Sequence, residues 1–572
     1  MKTSLQIAAE AKLAPIAAVA ERLGVPERHL EPHGRHRAKL DLAFLEEFAD
    51  RPLGRYILVT AITPTPLGEG KTTTTIGLGM ALSRVGRRAA IAIRQSSLGP
   101  VFGIKGGGAG GGYAQVVPLE ESILHLNGDI HAVTQAHNQI AALTDNSWYH
   151  GNPLGIAPER IAIRRVMDVN DRFLRQVEVG LGGKLNGSPR RTGFDISVAS
   201  ELMAILAMAD GRGAREALLD LRRRIGRMVV AFTGDGRPVT AEDVRAAGAA
   251  TVLMREALKP NLMQTIEGTP AIIHAGPFAN IAQGNSSILA DQVGLRAAEY
   301  LVTEAGFGAD MGGEKFFDIK CRASGLWPAA AVVVATIRAL KSHTGKYKIV
   351  AGKPLPAELL LENPDDVEAG GANLRRQIAN VRRFGVPVVV ALNAYPEDFP
   401  SEVEAVARVA AEAGAEATAV SRAFAQGGAG AEELARAVIA AAEAGPPREP
   451  RFLYPLDMPI AEKIRALATG IYGAADIELS PLAAEQIGAF EASGFGGLPI
   501  CMAKTHLSLS HDPSLKGAPE GFVFPIREAR ASVGAGFIYP IAGDTVTMPG
   551  LGSDPAAHHV DIDEEGRTVG LF

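Results

Sequence analysis

The chain has 572 residues, with 58 Lys and Arg against 63 Asp and Glu for a net charge of −5. That balance gives no electrostatic ground for nucleic acid or an anionic membrane as partner. Two cysteines, Cys321 and Cys501, are too few for a disulfide framework or a CxxC metal site and fit a reducing cytoplasm. No uncharged apolar run approaches the roughly 18 residues of a membrane span, and the N-terminus lacks a signal-peptide core.

The first elements are a helix expected over Leu40–Phe48 and a buried strand over Tyr56–Ile62, a short apolar run rich in β-branched residues. There follows Thr65-Pro66-Leu67-Gly68-Glu69-Gly70-Lys71-Thr72-Thr73, then helical spacing through Leu78 and Leu82 with a stop near Gly86. A second apolar run, Ala89–Ile93, ends on Arg94. Strand, glycine loop, helix and strand make a βαβ unit, the building block of parallel sheets. The loop reads as a phosphate cradle. Gly68 and Gly70 free the backbone to aim amides inward, and the helix N-terminus adds about half a positive charge. Lys71 reaches β- and γ-phosphates, and the Thr72 hydroxyl suits Mg²⁺. The match to GxxxxGK[ST] departs at its first position, where Thr65 replaces glycine. Arg94, at the carboxyl end of its strand, is placed to grip a carboxylate or phosphate.

Between Gly103 and Gly112 lie seven glycines. They contain a formal GxGxxG, but Pro118 follows where a dinucleotide site needs a helix, so a loop bordering the phosphate site is the expectation. His125, His131 and His137 are spaced by six, which scatters them around a helix instead of making a metal face. Asp129, within that segment, is the acidic candidate. Residues 120–265 show helical spacing over Asn170–Val177, Ser197–Asp210, Ala214–Arg224 and Ala241–Lys259, with few strand candidates. Strands are then expected at Ala271–His274 and Ala329–Ala335 around a helix Ile288–Ala305. Pro387–Leu392 and Ala417–Val420 are further strands, with helices Glu402–Ala413 and Ala431–Ala444. Pro446–Pro459 reads as a connector, and the final stretch as glycine- and proline-rich short strands. His274–Ser286, between a strand and a helix, offers a second set of turn amides for an anion. Phe307, Tyr395-Pro396 and Phe424 fall near strand ends, where they either stack on a flat heterocycle or pack in the core.

The fold class is α/β. A phosphate-loop (P-loop) nucleotide-binding domain with a parallel sheet takes residues 1–120 plus about 265–360. A helix-rich middle domain takes about 121–264, and a second α/β domain about 361–572.

Several long motifs make the chain resemble the formate–tetrahydrofolate ligases along its whole length. They are TPLGEGKTT at 65–73, GIKGGGAGGGY at 103–113, NPLGIAPERI at 152–161, ALKPNLMQTIEGTPA at 257–271, HAGPFANIAQG at 274–284 and GFGADMGGEKFFDIKCR at 306–322. VATIRALKSHTG at 334–345, GGLPICMAKTHLSLS at 496–510 and AGFIYPIAGDTVTMPGLGSDPAA at 535–557 complete the set. The resemblance implies a three-domain, cytoplasmic and commonly homotetrameric ligase. It uses MgATP, with a monovalent cation as a further candidate, to phosphorylate formate, and tetrahydrofolate then takes the formyl group. It implies ATP phosphates on residues 65–73, including Lys71, with Mg²⁺ at Thr72, formate on Arg94, and Asp129 assisting attack by the folate amine. The pterin or purine rings would meet Phe307, Tyr395, Pro396, Val420 and Phe424. At Phe424 the family commonly has tryptophan, and His506-Leu507 stands for a usual Gln-Tyr. Two rival readings of the loop are a P-loop switch ATPase and a non-catalytic nucleotide-binding scaffold.

Overall fold

A computed structural model describes residues 2–103, 108–349, 354–445, 449–543 and 546–571. The apolar, β-branched runs form the strands of one large sheet: β1 Arg55–Ala61, β2 Ala89–Ile93, β3 Pro270–Ile273, β4 Tyr300–Glu304, β5 Ala330–Ala335, β6 Val388–Asn393 and β7 Ala417–Ser421. They lie in the order β3-β2-β4-β1-β5-β6-β7, each pair of neighbours parallel. Asn261–Thr265 extends the β3 edge antiparallel, and Ala38–Leu40 pairs with it in turn.

Parallel strands are covered on both faces, and so read as continuous apolar runs. Alternate side chains of β1 sort accordingly. Ile57, Val59 and Ala61 join one core with Ile76, Leu78 and Met80 of α1 (Lys71–Arg84) and Leu434 and Val438 of α2 (Glu432–Glu443). Tyr56 and Leu58 join a second core with Ile288 and Val293 of the helix Ile288–Ala297 and Leu374 and Ile378 of the helix Pro364–Arg383.

Several expectations are corrected. The helix expected over Ile288–Ala305 stops at Ala297, and Tyr300–Glu304 is the central strand β4, buried throughout between β1 and β2. Two-sided sheet burial outweighs the helical spacing there. Asn170–Val177 is not a helix. Asp171 caps a short 3₁₀ turn, Arg172–Arg175, and Phe173 is 85% exposed, so no apolar face meets a core. Ala241–Lys259 holds only the helix Ala247–Met254, and Leu40–Phe48 only Ala43–Glu47. The middle region carries more strand than expected, including Ile156–Ile161, Val229–Thr233 and Pro238–Thr240 in one small sheet. The main sheet continues past residue 360 through β6 and β7. Of the connector Pro446–Pro459, residues 446–448 lie outside the described residues.

Candidate active site

The loop after β1 is pinned from within. Glu69 is buried and accepts hydrogen bonds from Thr65 N at 2.7 Å and Thr65 Oγ1 at 3.1 Å. The Leu67 amide donates to Thr65 Oγ1 at 3.3 Å. Threonine therefore serves at the position where the motif has glycine: the left-handed φ values fall on Gly68 (75°) and Gly70 (74°). Burial pushes the Glu69 carboxyl up, against the pull of Lys71. Asn393, the last residue of β6, donates to Glu69 O at 3.1 Å, and a Cβ on Gly70 would lie 2.2 Å from its Nδ2. Pro66 and Gly68 are exposed, and Lys71, Thr72 and Thr73 lie half-buried in the first turn of α1. Thr72 Oγ1 donates to Glu304 Oε2 at 2.8 Å.

Glu304 ends β4, beside the end of β2 where Arg94 stands. Arg94 Nη1 donates to Pro277 O at 3.1 Å, while its Nε is buried with no partner in the protein. Burial lowers the guanidinium pKa and the Glu304 carboxylate opposes the shift. A Cβ on Gly306 would stand 3.3 Å from Arg94 Nη2 and 2.4 Å from the Ala279 methyl, so glycine keeps room beside the guanidinium. Asn285 Nδ2 donates to Glu304 O at 3.2 Å, leaving Asn285 Oδ1 and both amide atoms of the fully buried Gln283 unpartnered. The segment His274–Ser286 thus forms a wall next to Arg94, not merely a turn of amides. Sequence reasoning did not find Glu304, because it lay inside the expected helix. Nor did it find Asn393, which only the β6 strand end brings to the loop.

Asp129, the first residue of the helix Asp129–Tyr149, has a different setting. It is 2% exposed; Lys39 Nζ lies 2.6 Å from Oδ1, and Asn261 Nδ2 donates to Oδ2 at 2.6 Å. Asn261 also donates to Ile273 O at 2.9 Å, on the strand paired with β2. Next to Ile273, His274 is bonded at both ring nitrogens, to Ser287 Oγ and Ala257 O, and burial brings its pKa down to about 4.

The ring candidates follow the carboxyl ends of β4, β6 and β7, the same edge as the loop and Arg94. Phe307, at φ 60°, stacks on His506 with centroids 4.7 Å apart and planes 18° from parallel. Arg338 lies over the Tyr395 ring at 4.0 Å, and Pro396 is exposed. Val420 is half-buried in β7, and Phe424, just beyond it, is 50% exposed. The described part of the glycine segment reaches this point: Tyr113 N donates to Phe424 O at 2.8 Å. A Cβ on Gly112 would lie 2.1 Å from that oxygen.

These features define an α/β protein whose loop, guanidinium and ring side chains share one carboxyl edge of a parallel sheet, where open sheets take their ligands. The chain belongs to the formate–tetrahydrofolate ligase family: the family model of that description matches residues 2–572. It is 74% identical to the formate–tetrahydrofolate ligase of Chloroflexus aurantiacus over 572 residues, covering 100% of both chains. The ligases of Herpetosiphon aurantiacus, at 65%, and Rubrobacter xylanophilus (ligase 3), at 60%, are likewise matched over 100% of both chains.

Proposed function

We propose that this chain ligates formate to tetrahydrofolate at the expense of ATP, giving 10-formyltetrahydrofolate, ADP and phosphate through formyl phosphate. The observation that carries the reading is the gathering of the pinned loop, the Thr72–Glu304 pair and a half-buried Arg94 with an unpartnered Nε on one sheet edge. In this reading residues 65–73 form a P-loop whose amides and Lys71 hold the phosphates. Arg94 holds the formate carboxylate in line with the γ-phosphorus and balances charge on the acyl phosphate. Formate oxygen forms the new bond to phosphorus, the bond to the bridging oxygen breaks, and ADP leaves. The folate amine then attacks the formyl carbon, phosphate departs, and Asp129 takes the amine proton. Phe307, Tyr395, Pro396, Val420 and Phe424 line the ring site.

Thr72 Oγ1 and Glu304 Oε2 are hard oxygen donors of the kind Mg²⁺ takes. No group of three or more His, Cys, Asp or Glu suited to a metal stands among the described residues, so the other ligands would come from nucleotide and water. Bound there with ATP, Mg²⁺ would neutralise phosphate charge. A monovalent cation, a cytoplasmic homotetramer and a three-domain organisation, with β6 and β7 kept in the main sheet, complete the reading by family likeness. A switch ATPase is not favoured by a family match that spans residues 2–572. The test is ADP release by the purified protein with MgATP and formate, tetrahydrofolate, or both, with formylated folate converted by acid to its absorbing methenyl form. ADP and product are expected together, only with both substrates. ADP release indifferent to formate, without product, overturns the proposal.

A further inference from the structure

A buried polar network outside the reacting groups connects the root of the loop to the ring site. Thr63, two residues beyond β1 and two before Thr65, is fully buried, and each of its polar atoms is engaged. Its amide donates to Asn373 Oδ1 at 2.9 Å, its carbonyl pairs with His343 Nε2 at 2.9 Å, and its hydroxyl accepts from Asn373 Nδ2 at 2.8 Å and Gln377 Nε2 at 3.0 Å. Gln377 Nε2 also donates to Asp310 Oδ1 at 2.6 Å, and Asp310 Oδ2 lies 2.8 Å from Lys504 Nζ, the pair 1% and 0% exposed at the side chain. Lys504 Nζ further donates to Ser508 O at 2.6 Å and Thr505 O at 3.1 Å, fixing the segment it belongs to.

Asp310 stands three residues after Phe307 and Lys504 two before His506, so this ion pair joins the two segments whose rings stack. Packing around Asp310 and Gln377 is close. A Cβ on Gly308 would lie 2.6 Å from Asp310 Oδ1, 3.1 Å from Gln377 Nε2 and 3.2 Å from Ile62 O. Asp310 lies in the π-helical turn Ala309–Gly313, a distortion often found at functional sites. A buried ion pair is a weak source of net stability, because desolvation offsets most of the attraction. Its worth here is geometric. A ring inserted between Phe307 and His506 has to part rings whose centroids are 4.7 Å apart, and the Asp310–Lys504 pair with Gln377 gives any shift of their segments a route to Thr63.

We propose that Asp310, Lys504 and Gln377 are positioning residues that couple ring binding at Phe307–His506 to the conformation of the phosphate loop, so that folate and nucleotide affinities depend on one another through Gln377. The inference rests on the ligase reading above. It is tested by calorimetric titration of tetrahydrofolate into the protein with and without Mg²⁺ and a non-hydrolysable ATP analogue. In the wild type the analogue should change the tetrahydrofolate Kd at least about fivefold, in the range usual for coupled sites. Gln377→Met removes both donated bonds at nearly constant volume. It should leave each ligand's separate Kd within about threefold and bring the coupling below about twofold, a result that loss of structure alone does not give.

Equal coupling in the wild type and Gln377→Met overturns the inference, as does tetrahydrofolate binding to the wild type without coupling. Failure of the wild type to bind tetrahydrofolate at all overturns the ligase reading and this inference with it. Should Gln377→Met not fold, amide hydrogen exchange on the wild type decides. Tetrahydrofolate alone should alter exchange over residues 63–72, and unchanged exchange there overturns the coupling.

Discussion

Arg94 and Asp129 both stand near the β2–β3 side of the sheet, and they differ in what the protein has done with their charge. Asp129 is closed: both oxygens are engaged by Lys39 and Asn261, and the pair is almost fully buried. Arg94 is open: one nitrogen bonds Pro277 O, Nε has no protein partner, and the Gln283 amide and Asn285 Oδ1 nearby in the wall are unsatisfied too. Buried polar groups are nearly always paired, so orphaned ones gathered at a strand edge point to a ligand that completes them. A paired group such as Asp129 contributes by holding structure until a substrate displaces one of its partners. On this contrast the proposed substrate contact falls on the Arg94 side, and a direct role for Asp129 is the more demanding part of the proposed mechanism.

The largest effect should come from opening the closed side. Lys39→Met leaves the Asp129 carboxylate buried without its cation and should cost about 3–5 kcal/mol in urea unfolding. Adding Asp129→Asn should restore most of that loss, and a double variant no more stable than Lys39→Met would break the view of the pair as a structural unit. Next is a pH dependence from His274 on the same side. Its folded pKa, about 4, lies below the ordinary 6.5. The unfolded chain therefore takes up more protons between those values, so this contribution is complete above pH 6.5 and is lost as pH falls toward 4. By pH 5 it should have cost about 2 kcal/mol, and His274→Gln should flatten the profile of urea midpoints by that amount.

On the open side, Thr72→Val removes the hydroxyl shared with Glu304 and should lower kcat/KM for ATP roughly tenfold, about 1.5 kcal/mol, with little change in melting temperature. The smallest effect belongs to the rim. Phe424→Trp enlarges a half-exposed ring surface and should lower the tetrahydrofolate KM a few-fold, up to about 1 kcal/mol. An increase in KM would remove Phe424 from the ring site. Asp129→Asn separates the two readings of that carboxylate. Formyl transfer falling more than formyl phosphate formation makes it the proton acceptor, and equal loss of both leaves it a holder of the β3 side.

Legibility of the sequence followed the same division. Lys71, the loop and Arg94 were readable because a strand, two glycines and a helix start make a local pattern, and β2 ends where its apolar run ends. Glu304 was hidden, since Tyr300–Glu304 continues the apolar spacing of the preceding helix and only pairing with β1 and β2 makes it a strand. The closure of Asp129 was equally hidden: Lys39 and Asn261 are 90 and 132 residues away in sequence, on neighbouring antiparallel strands with no local signature. Phe424 was visible as an aromatic near a strand end, but its contact with the glycine segment, through Tyr113 N, spans the fold. Local backbone chemistry is written locally. Charge pairing is not.

The central claim, that the Arg94 edge is where formate reacts, is tested most directly by turnover of Arg94→Ala at saturating formate, read beside its unfolding midpoint. The account predicts a loss on the order of a hundredfold or more, about 3 kcal/mol of transition-state stabilisation, in a protein that unfolds near the wild-type midpoint. Near-normal turnover in the folded variant would contradict it.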